Sequence, residues 1–260
     1  MISSVMLFSD VDGTLLDESG HYAITPEELA RYRDAIDIVL ASSRTILELS
    51  RNQRDLGLSG PLVAENGAVV ALPWHESLST VGTRETIDAH EWCVMAVGDE
   101  AAIIRDAVRE TAVQLGVPHI DQADVESTLG RRASVLLRPV PGATWDDLTP
   151  LATSLRQQGF SVASGGSWLA VTHGADKGRG ARALMAVLAL SQPSPDVVAA
   201  VGDSNNDVPL LAVVSKRFVI SGPDGRYHPA LMALPDTTCV SKVGIAGWRD
   251  VLLSLLEEKR

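Results

Sequence analysis

Short apolar runs alternate with segments of helical periodicity near both ends of the chain. The elements predicted in the first quarter are a strand, a helix, a strand, a helix and a strand, over 5–8, 26–36, 37–41, 45–56 and 61–64. Those predicted in the last third are a helix, two strands and a helix, over 178–190, 197–201, 217–220 and 245–256. Buried strands separated by helices are typical of a doubly wound parallel α/β sheet.

The middle of the chain has a different pattern. Two helices, one containing Ile104 and the other Trp145, separate four strand-like segments, which are 92–97, 134–140, 160–163 and 168–172. Such a segment can fold around its own small core. We therefore predict a discontinuous core domain over 1–81 and 173–260, interrupted by a smaller α/β insert over 82–172.

The composition and charge of the chain disfavour two classes of binding partner, nucleic acids and membranes. The chain has 22 Lys and Arg against 33 Asp and Glu, a formal charge of −11, and such a surface repels nucleic-acid phosphates. No apolar run approaches the about 20 residues of a membrane span, and no basic segment precedes the short first run as in a signal peptide. We therefore expect a cytoplasmic protein without nucleic-acid or membrane partners. Cys93 and Cys239 lack CxxC spacing, so we expect two reduced thiols.

The strongest chemical signal is the segment Asp10-Val11-Asp12-Gly13-Thr14, directly after the first apolar run. Ligands of open α/β sheets bind at the carboxyl ends of the strands. Two carboxylates one residue apart at such an end can have different chemical roles, because one can attack phosphorus while the other transfers protons. The simpler alternative is an Asp-Gly turn after a strand.

Other strand ends also have polar segments. Ser42-Ser43-Arg44 follows the second strand, and Gly202-Asp203-Ser204-Asn205-Asn206-Asp207 follows a late one. Lys177, one of four lysines, begins a helix, where backbone N–H groups favour an anion. Each segment alone is explained by a helix cap or a solvated charge. Together, at one edge of one sheet, they indicate a site for an anion.

These four segments resemble the four signature motifs of the haloacid dehalogenase superfamily, and the insert resembles the type IIB α/β cap of its Cof-like branch. Within this branch, 64–68 and the segments around Ser42, Lys177 and Asp203 most resemble mannosyl-3-phosphoglycerate phosphatases, although Arg44 stands where Lys is expected. The resemblance implies a Rossmann-like core with an inserted cap.

The resemblance also implies a Mg²⁺-dependent phosphatase acting on a small phosphorylated metabolite. Asp10 is then the nucleophile, Asp12 the acid and base, and Ser42 and Lys177 hold the phosphoryl group. The implied metal-site residues are Asp10, Asp12 through its backbone carbonyl, Asp203, and Asp207 as a group that holds Lys177 or a metal-bound water. A glycosyl-phosphoglycerate or a related sugar phosphate is the implied substrate.

Substrate contacts are expected from both domains. The expected core residues are Ser43, Arg44, Glu65, Asn66, Gly67 and Asn206. In the cap, Arg131 and Arg132 are candidates for a carboxylate or a second phosphate, because a planar guanidinium suits such anions. A solvated strand edge is the alternative for this pair. Trp168 could stack on a sugar ring or simply pack.

Two other functions stay open at the level of sequence. A phosphomutase of the phosphomannomutase type shares this chemistry and a similar cap, and no residue decides between the two. A non-catalytic protein that binds a phosphorylated ligand is disfavoured, because a receiver-like domain needs neither a cap nor a second carboxylate two positions after the first. The oligomeric state is not predicted.

Overall fold

The computed structural model describes residues 5–165, 167–191 and 193–257. These residues form thirteen strands: β1 Val5–Ser9, β2 Ile36–Ala41, β3 Leu62–Ala64, β4 Val69–Pro73, β5 Thr83–Ile87, β6 His90–Ala96, β7 His119–Asp121, β8 Val135–Pro139, β9 Ser161–Gly165, β10 Trp168–Thr172, β11 Val197–Gly202, β12 Lys216–Ser221 and β13 Thr237–Val243. Their helices are α1 Pro26–Leu29, α2 Ile46–Leu56, α3 Ala101–Leu115, α4 Thr149–Gln157, α5 Lys177–Leu188, α6 Val208–Leu211, α7 Pro229–Met232 and α8 Trp248–Glu257. Each of these helices is too short or too polar to cross a bilayer.

A large mixed sheet forms the core. Among the described residues it has nine strands in the order β13-β12-β11-β1-β2-β3-β4-β6-β5. The strands from β13 to β3 pair in parallel, and β4, β6 and β5 add an antiparallel extension. Side chains of β1 alternate between two apolar clusters, since Leu7 packs with residues of α2 and α8 while Phe8 packs with residues of α5 and α6. The predicted doubly wound α/β core is confirmed.

The capping residues at both ends of α2 predicted its bounds closely. Thr45 caps its first turn by accepting a hydrogen bond from the backbone N–H of Glu48, and Gly57 ends it with φ +64°. The helix predicted over 26–36 is too long, because α1 ends at Leu29. The chain then turns, and Ile36 already lies in β2 beside Val5, so pairing in the sheet overrides the apolar pattern.

A second, four-stranded antiparallel sheet is built from the middle of the described chain, in the order β7-β8-β10-β9. Leu137 and Val171 of this sheet pack against Ile104 of α3 and Leu151 of α4 in a separate apolar cluster. This small α/β layer is the cap. Its short strand β7 was not predicted from the sequence, and neither was β13 at the edge of the large sheet.

The strand predicted over 92–97 as part of the insert lies in the large sheet. β6 pairs with β4 and forms a hairpin with β5, so both strands extend the large sheet. The chain instead crosses to the cap near Gly98, where the backbone N–H of Asp99 donates to the carbonyl of His173 at 3.1 Å. The pairing therefore favours a domain boundary later than the predicted residue 82, and the division itself stays a prediction.

Candidate active site

Asp10 lies directly after the central strand β1. Its backbone N–H donates to Val201 at the end of β11, which fixes the two neighbouring strand ends together at 3.0 Å. The chain then turns at Gly13, whose φ is +79°. A Cβ at this position would lie 2.6 Å from Oδ2 of Asp203, so glycine is required both for the turn and for the approach of that carboxylate.

Lys177 joins two carboxylates beneath this turn. Its Nζ lies 2.8 Å from Oδ1 of Asp10 and 2.7 Å from Oδ1 of Asp207, and the lysine is fully buried. The other oxygen of Asp207 accepts from the backbone N–H groups of Asp203 and Ser204, both at 3.1 Å. Because protein donors engage both of its oxygens, Asp207 orients Lys177 and the loop after β11.

A group of three carboxylates can hold a metal ion. Oxygen atoms of Asp10, Asp203 and Asp207 lie within 4.8 Å of one another. Thr14 fixes Asp203 by donating from its hydroxyl to Oδ1 at 2.8 Å. Oxygen donors of this kind suit a hard cation such as Mg²⁺.

The charges in this group do not balance without a further cation. Burial and then the charge of Asp207 raise the pKa of Asp10 well above its ordinary value, and burial raises the pKa of Asp203 to about 6. Burial lowers the pKa of Lys177, but the charges of Asp10 and Asp207 outweigh it and the net change is upward. One ammonium group therefore faces three carboxylates, and a divalent cation would correct the excess.

Asp12 is held from the other side of the site. The Nε of Arg44 donates to its Oδ2 at 2.9 Å, and Nη2 donates to its Oδ1. This hydrogen bonding is the largest cause that raises the pKa of Arg44. Lysine cannot donate to both oxygens in this planar manner. The contact therefore explains structurally why arginine stands at position 44, where the resemblance predicts lysine.

A cavity of about 920 Å³ lies between the core and the cap. Its lining includes the core residues Asp10, Asp12, Ser43, Arg44, Asn66, Asp203 and Asn206 and the cap residues Gln122, Arg131, Leu136, Ala163 and Trp168. The structure thus brings most of the predicted site residues to one space. Trp168 lines the cavity, and the guanidinium of Arg138 lies 4.7 Å from its ring centre, so its packing is observed while stacking on a sugar ring stays a prediction.

Six predicted site residues do not line the cavity. Lys177 and Asp207 are buried beside Asp10, and the other four have separate surroundings. Ser42 is buried, and its hydroxyl accepts from the backbone N–H of Arg44 at 3.4 Å. Gly67 packs against the start of α5, since a Cβ there would lie 2.0 Å from the carbonyl oxygen of Asp176. Arg132 pairs with Glu85 of β5 at 2.8 Å. None of these three predicted residues is part of the cavity lining.

Glu65, the fourth, connects the core to the cap. Its carboxylate accepts from the hydroxyl of Ser134 at 2.7 Å and from the backbone N–H groups of Arg132 and Ala133 at 3.0 and 2.9 Å. It is buried, with φ +52°, and it does not line the cavity. We therefore assign it a positioning role between the domains. Gln122 lines the cavity and was missed, because its surrounding sequence contains no motif.

Comparisons with known proteins point to one family of hydrolases. Residues 7–91 match the family model of haloacid dehalogenase-like hydrolases. A glucosyl-3-phosphoglycerate/mannosyl-3-phosphoglycerate phosphatase of Methanococcoides burtonii is 27% identical, over 96% of this chain and 97% of its own length. One from Persephonella marina is 25% identical, over 98% of both chains.

Solved structures support the fold. A Thermoplasma acidophilum protein superposes with a TM-score of 0.69 at 16% identity, over 98% of this chain and 99% of the other. The sucrose-phosphatase of Synechocystis sp. PCC6803 gives a TM-score of 0.64 at 17% identity, over 98% of both chains. The resemblance predicted from the segment that begins at Asp10 is confirmed: residues 7–91 match the model of haloacid dehalogenase-like hydrolases, and two relatives that align over nearly the whole chain are named as phosphatases.

Proposed function

We propose that this hydrolase is a Mg²⁺-dependent phosphatase that removes the phosphoryl group of a small metabolite through an aspartyl-phosphate on Asp10. The main support is the contact of Lys177 with Asp10 at 2.8 Å, at the wall of a cavity that also contains Asp12. A carboxylate can approach an anionic phosphate monoester only where positive charge is supplied locally. The phosphatase names of two full-length relatives support the same reaction class.

Two aspartates have different roles in the proposed reaction, one as the nucleophile and the other as the acid and base. A carboxylate oxygen of Asp10 forms a bond to phosphorus while the bond from phosphorus to the leaving oxygen breaks, and Asp12 gives that oxygen a proton. Water then attacks phosphorus and returns a proton to Asp12, which releases inorganic phosphate and restores Asp10. In this proposal Ser43 and Asn206, which line the cavity, bind phosphate oxygens, while Ser42 is buried.

The metal-site residues in this proposal are Asp10, Asp203 and the backbone carbonyl of Asp12. Bound Mg²⁺ supplies the charge that offsets the phosphate and the excess carboxylates. Asp207 stays with Lys177 and the backbone of the loop, because its oxygens are already engaged.

The relatives' names and the cavity together favour a particular substrate class. Two relatives act, by name, on glucosyl-3-phosphoglycerate and mannosyl-3-phosphoglycerate. A cavity of about 920 Å³ with polar residues on both walls accommodates a phosphorylated sugar derivative. We therefore propose a glycosyl-phosphoglycerate or a related sugar phosphate as the substrate.

Phosphate release from a panel of phosphomonoesters, with Mg²⁺ and with EDTA, tests this function. Asp10→Asn should lose turnover completely, whereas Asp12→Asn should accumulate labelled phosphoenzyme from a substrate with a good leaving group. Asp55→Asn, at an exposed carboxylate of α2, is the matched control. Ordinary activity of Asp10→Asn would contradict the proposal. A hexose bisphosphate that is regenerated without phosphate release would instead indicate a mutase.

A further inference from the structure

Arg131 is a buried cation of the cap that uses only part of its hydrogen-bonding capacity. Its Nη1 donates to the carbonyl of Ser43 in the core at 3.0 Å and to the hydroxyl of Ser134 at 2.9 Å. The side chain is only 8% exposed, and burial lowers its pKa. One end of the guanidinium is therefore anchored, at a considerable cost in desolvation.

The other side of the guanidinium has no matching acceptor. Within the described chain, Nε of Arg131 is buried without a hydrogen-bond partner. Nη2 lies 3.9 Å from Oε2 of Glu48, too far for a hydrogen bond, and that oxygen already accepts from the backbone of Thr45 at 2.8 Å. Nε–H and Nη2–H form the parallel pair that binds a carboxylate side-on, as Arg44 does with Asp12.

Arg131 belongs to a fixed part of the cavity wall. Arg131 and Asp10 line the same cavity. Glu65 holds the backbone of the next residues, Arg132 and Ala133, so the position of Arg131 relative to the core is defined. The cap wall also contains Gln122, whose Oε1 is a second buried polar atom without a partner in the described chain. A ligand with a planar anionic group next to a hydroxyl group would provide hydrogen-bond partners for both Arg131 and Gln122.

We propose that Arg131 binds a carboxylate of the substrate's leaving group through Nε and Nη2, and that Gln122 accepts from a neighbouring hydroxyl. The inference rests on the proposed phosphatase function and deepens it, since it makes the preferred substrates phosphate monoesters of hydroxy acids. Neighbouring Arg132 has no such role, because its guanidinium is paired with Glu85 outside the cavity.

Two substrates that differ only in the carboxylate provide the test. In 3-phosphoglycerate a carboxylate stands where glycerol 3-phosphate has a CH₂OH group. The wild type should prefer 3-phosphoglycerate in kcat/KM, and Arg131→Gln should reduce this preference by about 10- to 100-fold, the range expected for hydrogen bonds to a charged group. Arg131→Lys keeps the charge but loses the paired donors, so it should recover only part of the preference. Arg132→Gln is the matched control and should keep the wild-type ratio.

A measurement on the wild type avoids any dependence on the folding of the variants. Hydrolysis of p-nitrophenyl phosphate should be inhibited competitively by D-glycerate and much less by glycerol. Equal inhibition by both compounds, an absent preference in the wild type, or an unchanged ratio in a folded Arg131→Gln protein would each overturn the inference while leaving the phosphatase function intact. Failure of the wild type to release phosphate from any of the three esters would overturn the proposed function, and this inference with it.

Discussion

Arg44 donates to both carboxylate oxygens of Asp12, although 32 positions separate the two residues in the chain. The pair joins the ends of β1 and β2 and holds Asp12 in one orientation at the cavity. A third contact, from Nη1 of Arg44 to Oδ1 of Asn52 in α2 at 3.3 Å, fixes the guanidinium itself. Arg44 thus acts as a positioning residue for the proposed acid and base.

Arg44→Lys should disturb proton transfer more than binding. Lysine retains the charge but cannot hold both oxygens of Asp12, so we expect kcat for an alkyl phosphate to fall about 10-fold, part of what general acid catalysis contributes. Hydrolysis of p-nitrophenyl phosphate should fall less than about threefold, because its leaving group needs no proton. Arg54→Lys, which alters the surface pair of Arg54 with Asp88, is the control. Equal losses on both substrates would refute this role.

Alanine variants of two glycines with similar backbone angles can distinguish the effect of backbone strain from an effect on the carboxylate site. Gly13 and Gly20 have φ values of +79° and +82°, but a Cβ at Gly20 would meet nothing within 4 Å, whereas one at Gly13 would lie 2.6 Å from Asp203. Both alanine variants should lose about 1 kcal/mol of stability in urea unfolding. Only Gly13→Ala should raise the Mg²⁺ concentration needed for half-maximal activity, by about 10-fold or more. The same Mg²⁺ requirement in both variants would disprove the steric argument.

Mg²⁺ should stabilise the protein in a pH-dependent manner. In the metal-free protein, folding raises the pKa of Asp10 and brings that of Asp203 to about 6, so these groups favour the protonated form in the folded state. The loss of stability caused by these two carboxyl groups is absent below their pKa in the unfolded chain. It grows as the pH rises through their pKa in the folded protein. The melting temperature should therefore rise more on addition of Mg²⁺ at pH 8 than at pH 5. Calorimetry that finds equal rises, or no rise with wild type, would contradict the metal assignment.

The turn between β5 and β6 contains residual strain. Asp88 and Ala89 have φ values of +51° and +62°, which favour glycine in a two-residue hairpin turn. Ala89→Gly should therefore raise the free energy of unfolding in urea by roughly 0.5–1 kcal/mol. Ala107→Gly, in the interior of α3, is the matched control and should lower it by about 1 kcal/mol. Destabilisation by both substitutions would show that the turn is not strained.

The sequence predicted the central strands and the polar segments that follow them, but it did not show which sheet each strand of the middle region joins. The run before Asp10 and the capping residue Thr45 depend on neighbours within a few positions, and such local preferences are visible in one chain. The strand around Trp92 was predicted in the insert but pairs in the large sheet, because the same apolar alternation suits either sheet. Its pairing with β4 is decided by the hairpin turn at Asp88 and by long-range packing.

The sequence by itself determined which chemical groups the protein has and the strand ends at which they stand, since a strand followed by a motif such as Asp10-Val11-Asp12 is a local feature. Only the tertiary structure decided which groups meet. Arg131 and Arg132 are adjacent and chemically identical, yet one lines the cavity and the other pairs with Glu85. The difference arises because Glu65 holds the backbone here in one orientation, and a contact between residues 67 positions apart leaves no signal in the local pattern.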